Sequence, residues 1–187
     1  MQQLVSYFQS QGFNASDSSK MAARFQREVF KKGDLLSEEG KVCRHLGFIE
    51  SGFVHYFILL DGEEKTTYAT NSNNFVTSLV SFLKETPARE SIRAVTDTIV
   101  WWISKKDLQE LQKEIAAFSA FYVGILEWQI CCIDESRLDS ILLSAADRYE
   151  KMMAKEPLLI REIPLQYLAS ILGVTPRHLS RIRAKVK

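Results

Sequence analysis

Residues 175–183, TPRHLSRIR, hold three arginines, one histidine, one serine and one threonine. Such donors suit anionic phosphates and the O6 and N7 acceptors of guanine, which an arginine can grip with two hydrogen bonds. To act together they need one rigid support. Thr175 and Pro176 supply it, as N-cap hydroxyl and first-turn proline of a helix expected to run to the chain end.

A second helix must hold the first in place. Pro164 opens a segment, Leu165 to Leu172, that puts Leu168 and Leu172 on one face, and Gly173 stops it with a left-handed turn. With Leu165 as the first position, a small residue (Ala169) is fifth and the glycine ninth. Apolar Leu168, Leu172, Val174, Leu179 and Ile182 stand fourth, eighth, tenth, fifteenth and eighteenth. That spacing is the helix-turn-helix pattern. It turns Leu179 and Ile182 inward and leaves Thr175, Arg177, His178, Ser180, Arg181 and Arg183 on outer or flanking faces.

Charge is divided along the chain. From Arg148 onward there are nine Lys/Arg against three Asp/Glu, whereas residues 1–147 hold fifteen against twenty. A formal net charge of +1 therefore conceals a basic C-terminal module whose field attracts phosphates, on an acidic remainder.

At 187 residues and 46% hydrophobic content, the chain can bury a core in one large domain or two small ones. Cys43, Cys131 and Cys132 form no CxxC pair, so neither a disulfide framework nor a zinc or iron–sulfur site is expected; buried thiols are. MQQLVSYFQSQGF lacks the basic start and apolar core of a secretion signal. The longest uncharged apolar stretch, Ile115 to Leu126, falls short of the ~20 residues that span a bilayer. The expectation is a cytoplasmic protein with no membrane partner.

In chain order, residues 2–9 and 16–27 read as helices. Short strands separated by turn residues follow from Val29: VF, LGFIE, FVHYFILL and KTTYAT. Phe53 to Leu60 is apolar on both faces, as in a strand buried between two sheets or inside a closed roll. A short helical turn at Leu79–Leu83 and strands at Ser91–Val95 and Ile99–Ile103 complete an eight-strand antiparallel β-roll. After Ser104 helical periodicity holds, with room for one break, to Met153. Phe118, Phe121 or Tyr122, Ile125, Trp128 or Gln129, and Cys132 recur along a helix too apolar to lie exposed. It is either the core helix of a single domain or, as two-fold half-sites favour, a dimer seam formed by Phe121, Ile125, Trp128 and Cys132. Asp139–Met153 reads as the first helix of the C-terminal module, and Leu158–Ile160 as a short strand.

The pieces FKKGDLLSEEG (30–40), FIESGFVHYF (48–57), SFLKETP (81–87), AADRYEKMMAKEP (145–157) and LASILGVTPRHLSRIR (168–183) resemble the Crp/Fnr family of bacterial transcription regulators, the last two its Bacteroidetes branch. The likeness covers essentially the whole length. It implies an α+β fold: a cyclic-nucleotide-binding-like β-roll with flanking helices (1–113), a dimerisation helix (114–137) and a helix-turn-helix domain (138–187). It also implies a non-enzymatic homodimer on double-stranded DNA, with RNA polymerase as a further partner and an effector of unknown identity. The DNA-facing residues carry over to Thr175, Pro176, Arg177 and Arg181, with Ser180 and Arg183 nearer the phosphates. Pro176 and Arg177 stand where the catabolite activator has arginine and glutamate, so the operator should differ.

The effector pocket departs from the family pattern. Thr77-Ser78 replace the Gly-Glu pair that holds the ribose, and Ala88 replaces the phosphate-binding arginine, with Arg89 one residue away. A buried phosphate without a cation is costly, so cyclic AMP is not expected to bind in the usual mode. Phe75, Thr77, Ser78, Leu79, Arg89 and Arg93 mark the candidate pocket, with Arg89 or Arg93 the cation of an alternative, ligand-gated reading. Another alternative, a cupin-like metalloenzyme, needs a metal-ligand set that His45 and His55 do not complete. No cofactor is expected.

Overall fold

The computed structural model describes residues 1–185. Helices α1 (Gln2–Ser10) and α2 (Ala15–Ala23) precede eight strands: β1 (Gln26–Phe30), β2 (Leu35–Ser37), β3 (His45–Ser51), β4 (Phe53–Leu60), β5 (Glu63–Asn71), β6 (Phe75–Val76), β7 (Ser91–Ala94) and β8 (Thr98–Ser104). A short α3 (Leu79–Lys84) lies between β6 and β7. The chain then continues through α4 (Lys105–Glu114), α5 (Ala116–Leu142), α6 (Ala145–Lys155), α7 (Pro157–Glu162), α8 (Leu165–Ile171) and α9 (Pro176–Lys185).

The strands form two antiparallel four-stranded sheets, ordered β1-β8-β3-β6 and β2-β7-β4-β5. Alternation decides what each face meets. Ile49, Val54, Tyr56, Val76, Ile92, Ala94 and Val100 close the roll interior, with Leu36 and Trp102 packed on it. The other face of the first sheet puts Leu46, Phe48, Trp101 and Ile103 against Leu4 and Phe8 of α1, Met21 of α2, and Leu108, Leu111 and Phe118 of the helices that follow the roll.

Several sequence expectations need correction. Residues 26 and 27, assigned to the second helix, already belong to β1, paired with Trp102 and Trp101. The long helix continues to Leu142, so no helix starts at Asp139; α6 begins only at Ala145, where Ser144 and Asp147 form a reciprocal capping box. Leu158–Ile160 is not a strand but part of α7, because Pro157 sits in a helical first turn and Leu159 and Ile160 bury against the C-terminal core. The thiols are not all buried: Cys131 is exposed, and Cys43 and Cys132 are intermediate.

The two apolar faces of β4 have an unexpected explanation. Val54 and Tyr56 point into the roll. Phe53 joins the core of the C-terminal helices, and buried His55 stacks on Tyr167 of α8. The second face is thus covered by the helix-turn-helix, not by another sheet.

α5 spans 27 residues with a mean hydropathy of 1.5 over its most apolar 18, which is long and apolar enough to cross a membrane. The earlier limit at Leu126 came from the charge at Glu127; the helix itself runs past it. Its start is buried at Phe118, while its second half exposes Trp128, Ile130, Ile133, Leu138, Ile141 and Leu142.

Candidate nucleic-acid interface and effector pocket

The helix-turn-helix is built as its spacing demands. Leu168, Ala169, Leu172 and Leu179 are at most 1% exposed and Ile182 is 5% exposed, each large side chain worth about 1.5–3 kcal/mol in burial. Gly173 adopts φ +67°, and the amides of Gly173 and Val174 donate to Ser170 and Ala169 carbonyls, closing α8 in a Schellman motif. Thr175 Oγ1 accepts from the His178 amide at 3.2 Å, capping α9 with Pro176 in its first turn. From α6, Arg148 donates to the Leu172 carbonyl at 2.7 Å and ties the turn to the rest of the module.

This scaffold leaves Thr175, Pro176, Arg177, His178, Ser180 and Arg181 exposed on one side of α9. Neither Arg177 nor Arg181 enters any of the described ion pairs. The Ser180 hydroxyl donates to the Pro176 carbonyl at 2.9 Å and keeps a lone pair outward. Arg183 corrects the sequence reading: it turns inward, donating to Tyr149 Oη at 3.3 Å and the Ile160 carbonyl at 3.2 Å. It therefore braces α9 against α6 and α7 instead of offering its guanidinium to phosphate.

The candidate effector residues do not converge. Thr77 donates through its amide to Tyr56 Oη at 3.3 Å and through its hydroxyl to the His45 carbonyl at 2.9 Å. Buried Ser78 lies 3.5 Å from Glu90 Oε1, and Leu79 is intermediate at the start of α3. Burial pushes the Glu90 carboxyl above its usual range, partly opposed by the Ser78 bond. Arg89 is exposed.

Phe75 and Arg93 lie elsewhere. Phe75 packs on Tyr7 and Phe48, outside the roll interior. Arg93 points out between Ile92 and Ala94, its guanidinium 4.3 Å from the Phe57 ring centroid and 2.7 and 2.8 Å from the two Glu64 carboxylate oxygens. Strand alternation, invisible until β7 had a register, removes it from the pocket. Tyr56, 7% exposed, fills the roll interior beside Thr77, and the partly buried Glu90 carboxylate lies next to Ser78. A cleft of ≈ 650 Å³ opens instead between edge strands β1 and β2, lined by Arg27, Leu36, Arg44 and Trp102 among others.

On α5, Phe121 and Ile125 turn toward the chain's own roll: Phe121 packs on Phe8 and Phe13, and Ile125 lies beside Phe8 and Phe118. Cys132 is intermediate, its thiol raised chiefly by burial and then by Glu135. Trp128 alone of the four expected seam residues is exposed, at 59%. Sequence periodicity could not separate the stripe that packs at home from the one left over. Among the described residues no group of three or more His, Cys, Asp or Glu is placed to hold an ion.

Comparison with known proteins agrees with this architecture. Residues 27–114 match the family described as Cyclic nucleotide-binding domain. No curated protein sequence matches the chain. Among solved structures, FixK2 from Bradyrhizobium japonicum superposes with a TM-score of 0.73 at 13% identity, over 87% of this chain and 84% of that one. The Thermus thermophilus catabolite activator protein gives 0.61 at 21% identity, over 94% and 84%. A crp/fnr-family protein from Eubacterium rectale gives 0.65 at 17%, also over 94% and 84%. Residues 27–114 thus match a cyclic nucleotide-binding domain model, and the chain as a whole has the fold of these solved structures.

Proposed function

We propose that this chain is a homodimeric transcription regulator that reads a near-palindromic DNA site and does not take cyclic AMP in the usual mode. The observation that carries the reading is the outer face of α9. Arg177 and Arg181 stand exposed on a helix whose opposite side is anchored by Leu179 and Ile182. That arrangement suits base contacts in the major groove, with Thr175 and Ser180 as neighbouring polar contacts. Residues 145–157 and 168–183 also carry the resemblance to the Bacteroidetes branch, and RNA polymerase belongs to the same reading as a partner.

A second copy is the natural cover for α5. Gly124, Trp128, Cys131, Leu138 and Leu142 fall along one stripe at i, i+4, i+7, i+14 and i+18, the spacing of a coiled-coil seam. Nothing lies within 4 Å of a Cβ built on Gly124, so a partner helix can approach closely there. Lys151 pairs with Asp139 at 2.5 Å and Lys155 with Glu135 at 2.8 Å, joining the second half of α5 to the DNA-facing module. Against cyclic AMP in the usual mode stand Ala88, where the family resemblance expects the phosphate-binding arginine, the buried Tyr56, and the Glu90 carboxylate beside Ser78.

Selection of bound fragments from random DNA tests the function. The expected outcome is a paired motif with half-sites about 10–10.5 bp apart, bound with steep salt dependence. Enrichment of no paired motif would refute it. Trp128→Asp combined with Leu138→Asp should give a monomer in sedimentation and lose operator binding; a persistent dimer would place the seam elsewhere.

A further inference from the structure

The seam between the β-roll and α8 contains a feature that DNA reading by α9 does not itself require. His55 of β4 is fully buried. Its ring stacks on Phe57 at 5.1 Å and on Tyr167 of α8 at 4.2 Å, at interplanar angles of 17° and 20°. Nδ1 lies 3.2 Å from Thr66 Oγ1, while Nε2 is buried with no hydrogen-bond partner. Beside it, Ser170 of α8 donates to the Thr66 carbonyl at 3.1 Å. Phe53 and Ala69 of the roll enter the same core as Leu168, Leu172 and Leu179.

These contacts join two modules with apolar burial, aromatic stacking and a backbone-directed hydrogen bond. They grip the helix that supports α9 and leave α9 itself uncovered: Thr175, Pro176, Arg177, Ser180 and Arg181 remain exposed while α8 is docked. We infer that the His55–Tyr167 stack is a clasp that holds the helix-turn-helix against the β-roll with the outer face of α9 turned free for DNA. His55 and Tyr167 are then positioning residues, acting on DNA through the orientation of α9. The inference rests on the DNA-reading function proposed above.

The charged and titratable groups facing His55 are Arg93 and Glu64 from the sheet and the Tyr167 phenol from α8. Burial, then Arg93, lowers the His55 imidazole to about 4, with Glu64 opposing. Tyr167 of α8 supplies part of the burial, so docking favours the neutral ring, whereas Arg93 acts from the sheet whether or not α8 is docked. The clasp is therefore fully formed above pH 6.5 and weakens as pH falls from there toward 4.

With three histidines in the chain, imidazole NMR can follow His55 directly. In the wild type it should titrate near 4; Tyr167→Ala should move it toward 6.5, and Tyr167→Phe should leave it where it was. On the selected operator, Tyr167→Ala should weaken binding roughly tenfold or more, with Tyr167→Phe near wild type. Wild-type affinity should fall between pH 7 and 5.5, a slope that His55→Phe removes by keeping the stack without the charge.

A wild-type His55 titrating near 6.5 would overturn the clasp, and wild-type operator affinity in Tyr167→Ala would overturn its positioning role. A wild type that selects no operator would sink the DNA function and with it that role, while the His55 titration would still decide whether the modules dock.

Discussion

Gly47→Ala tests the packing on which the roll interior depends. Gly47 lies on β3 opposite Trp102 of β8. A Cβ at residue 47 would stand 2.5 Å from Trp102 Cζ3, 2.7 Å from Trp102 Cε3 and 2.6 Å from Val100 Cγ1, too close for real carbon atoms. The indole rests edge-to-face on Phe30 at 6.2 Å and against the roll core, so any shift that relieves the clash disturbs those contacts.

Overpacking of this kind costs about 1–3 kcal/mol, against about 0.4–1 kcal/mol gained when alanine stiffens the unfolded chain. A net loss of roughly 1–2 kcal/mol follows, or a Tm lower by about 2–8 °C for a chain of this length. Urea unfolding followed by circular dichroism measures it. In a Trp102→Leu background the cost of alanine at 47 should shrink by about 1 kcal/mol, the coupling expected of residues in direct contact. An alanine variant as stable as the wild type, or a cost unchanged when the indole is removed, would refute the packing described here.

The remaining expectations concern the two modules. Arg177→Ala and Arg181→Ala should each weaken specific operator binding by about 1–3 kcal/mol and relax preference at one base position, read by fluorescence anisotropy across operator variants; a uniform loss across all sequences would reassign that arginine to phosphate. Ser144→Ala removes the capping box of α6 and should cost about 1 kcal/mol in urea unfolding, with no change if the cap is dispensable. Calorimetric titration with cyclic AMP or cyclic GMP should give no saturable micromolar binding, since Arg93 is committed to Glu64 outside the roll. Saturable heat lost in Arg89→Ala would instead assign the phosphate to Arg89.

Much of this molecule is written in local sequence. Residues 164–182 specify two helices, their turn and their shared core by spacing alone, because helix caps, a left-handed glycine and i, i+4 apolar positions act over short distances. The β-roll was legible for a similar reason: hydrophobic runs are bounded by turn residues at positions such as Gly52 and Asp61-Gly62, all with positive φ. The charge division also needed no coordinates.

Tertiary structure decided which face each residue serves. The family resemblance puts Phe75 and Arg93 at the effector pocket, yet a strand sends neighbours to opposite faces and register alone says which is inward. Arg183 looked like a phosphate contact until Tyr149 and the Ile160 carbonyl, distant in sequence, claimed its donors. The first half of α5 is apolar nearly all round, so periodicity there does not distinguish the roll-facing Phe121 and Ile125 from the exposed Trp128. The pairing of His55 with Tyr167 joins residues of β4 and α8 whose contact no local pattern encodes. Short-range propensities write the elements into the sequence; the destination of each face depends on long-range packing, which only the assembled fold supplies.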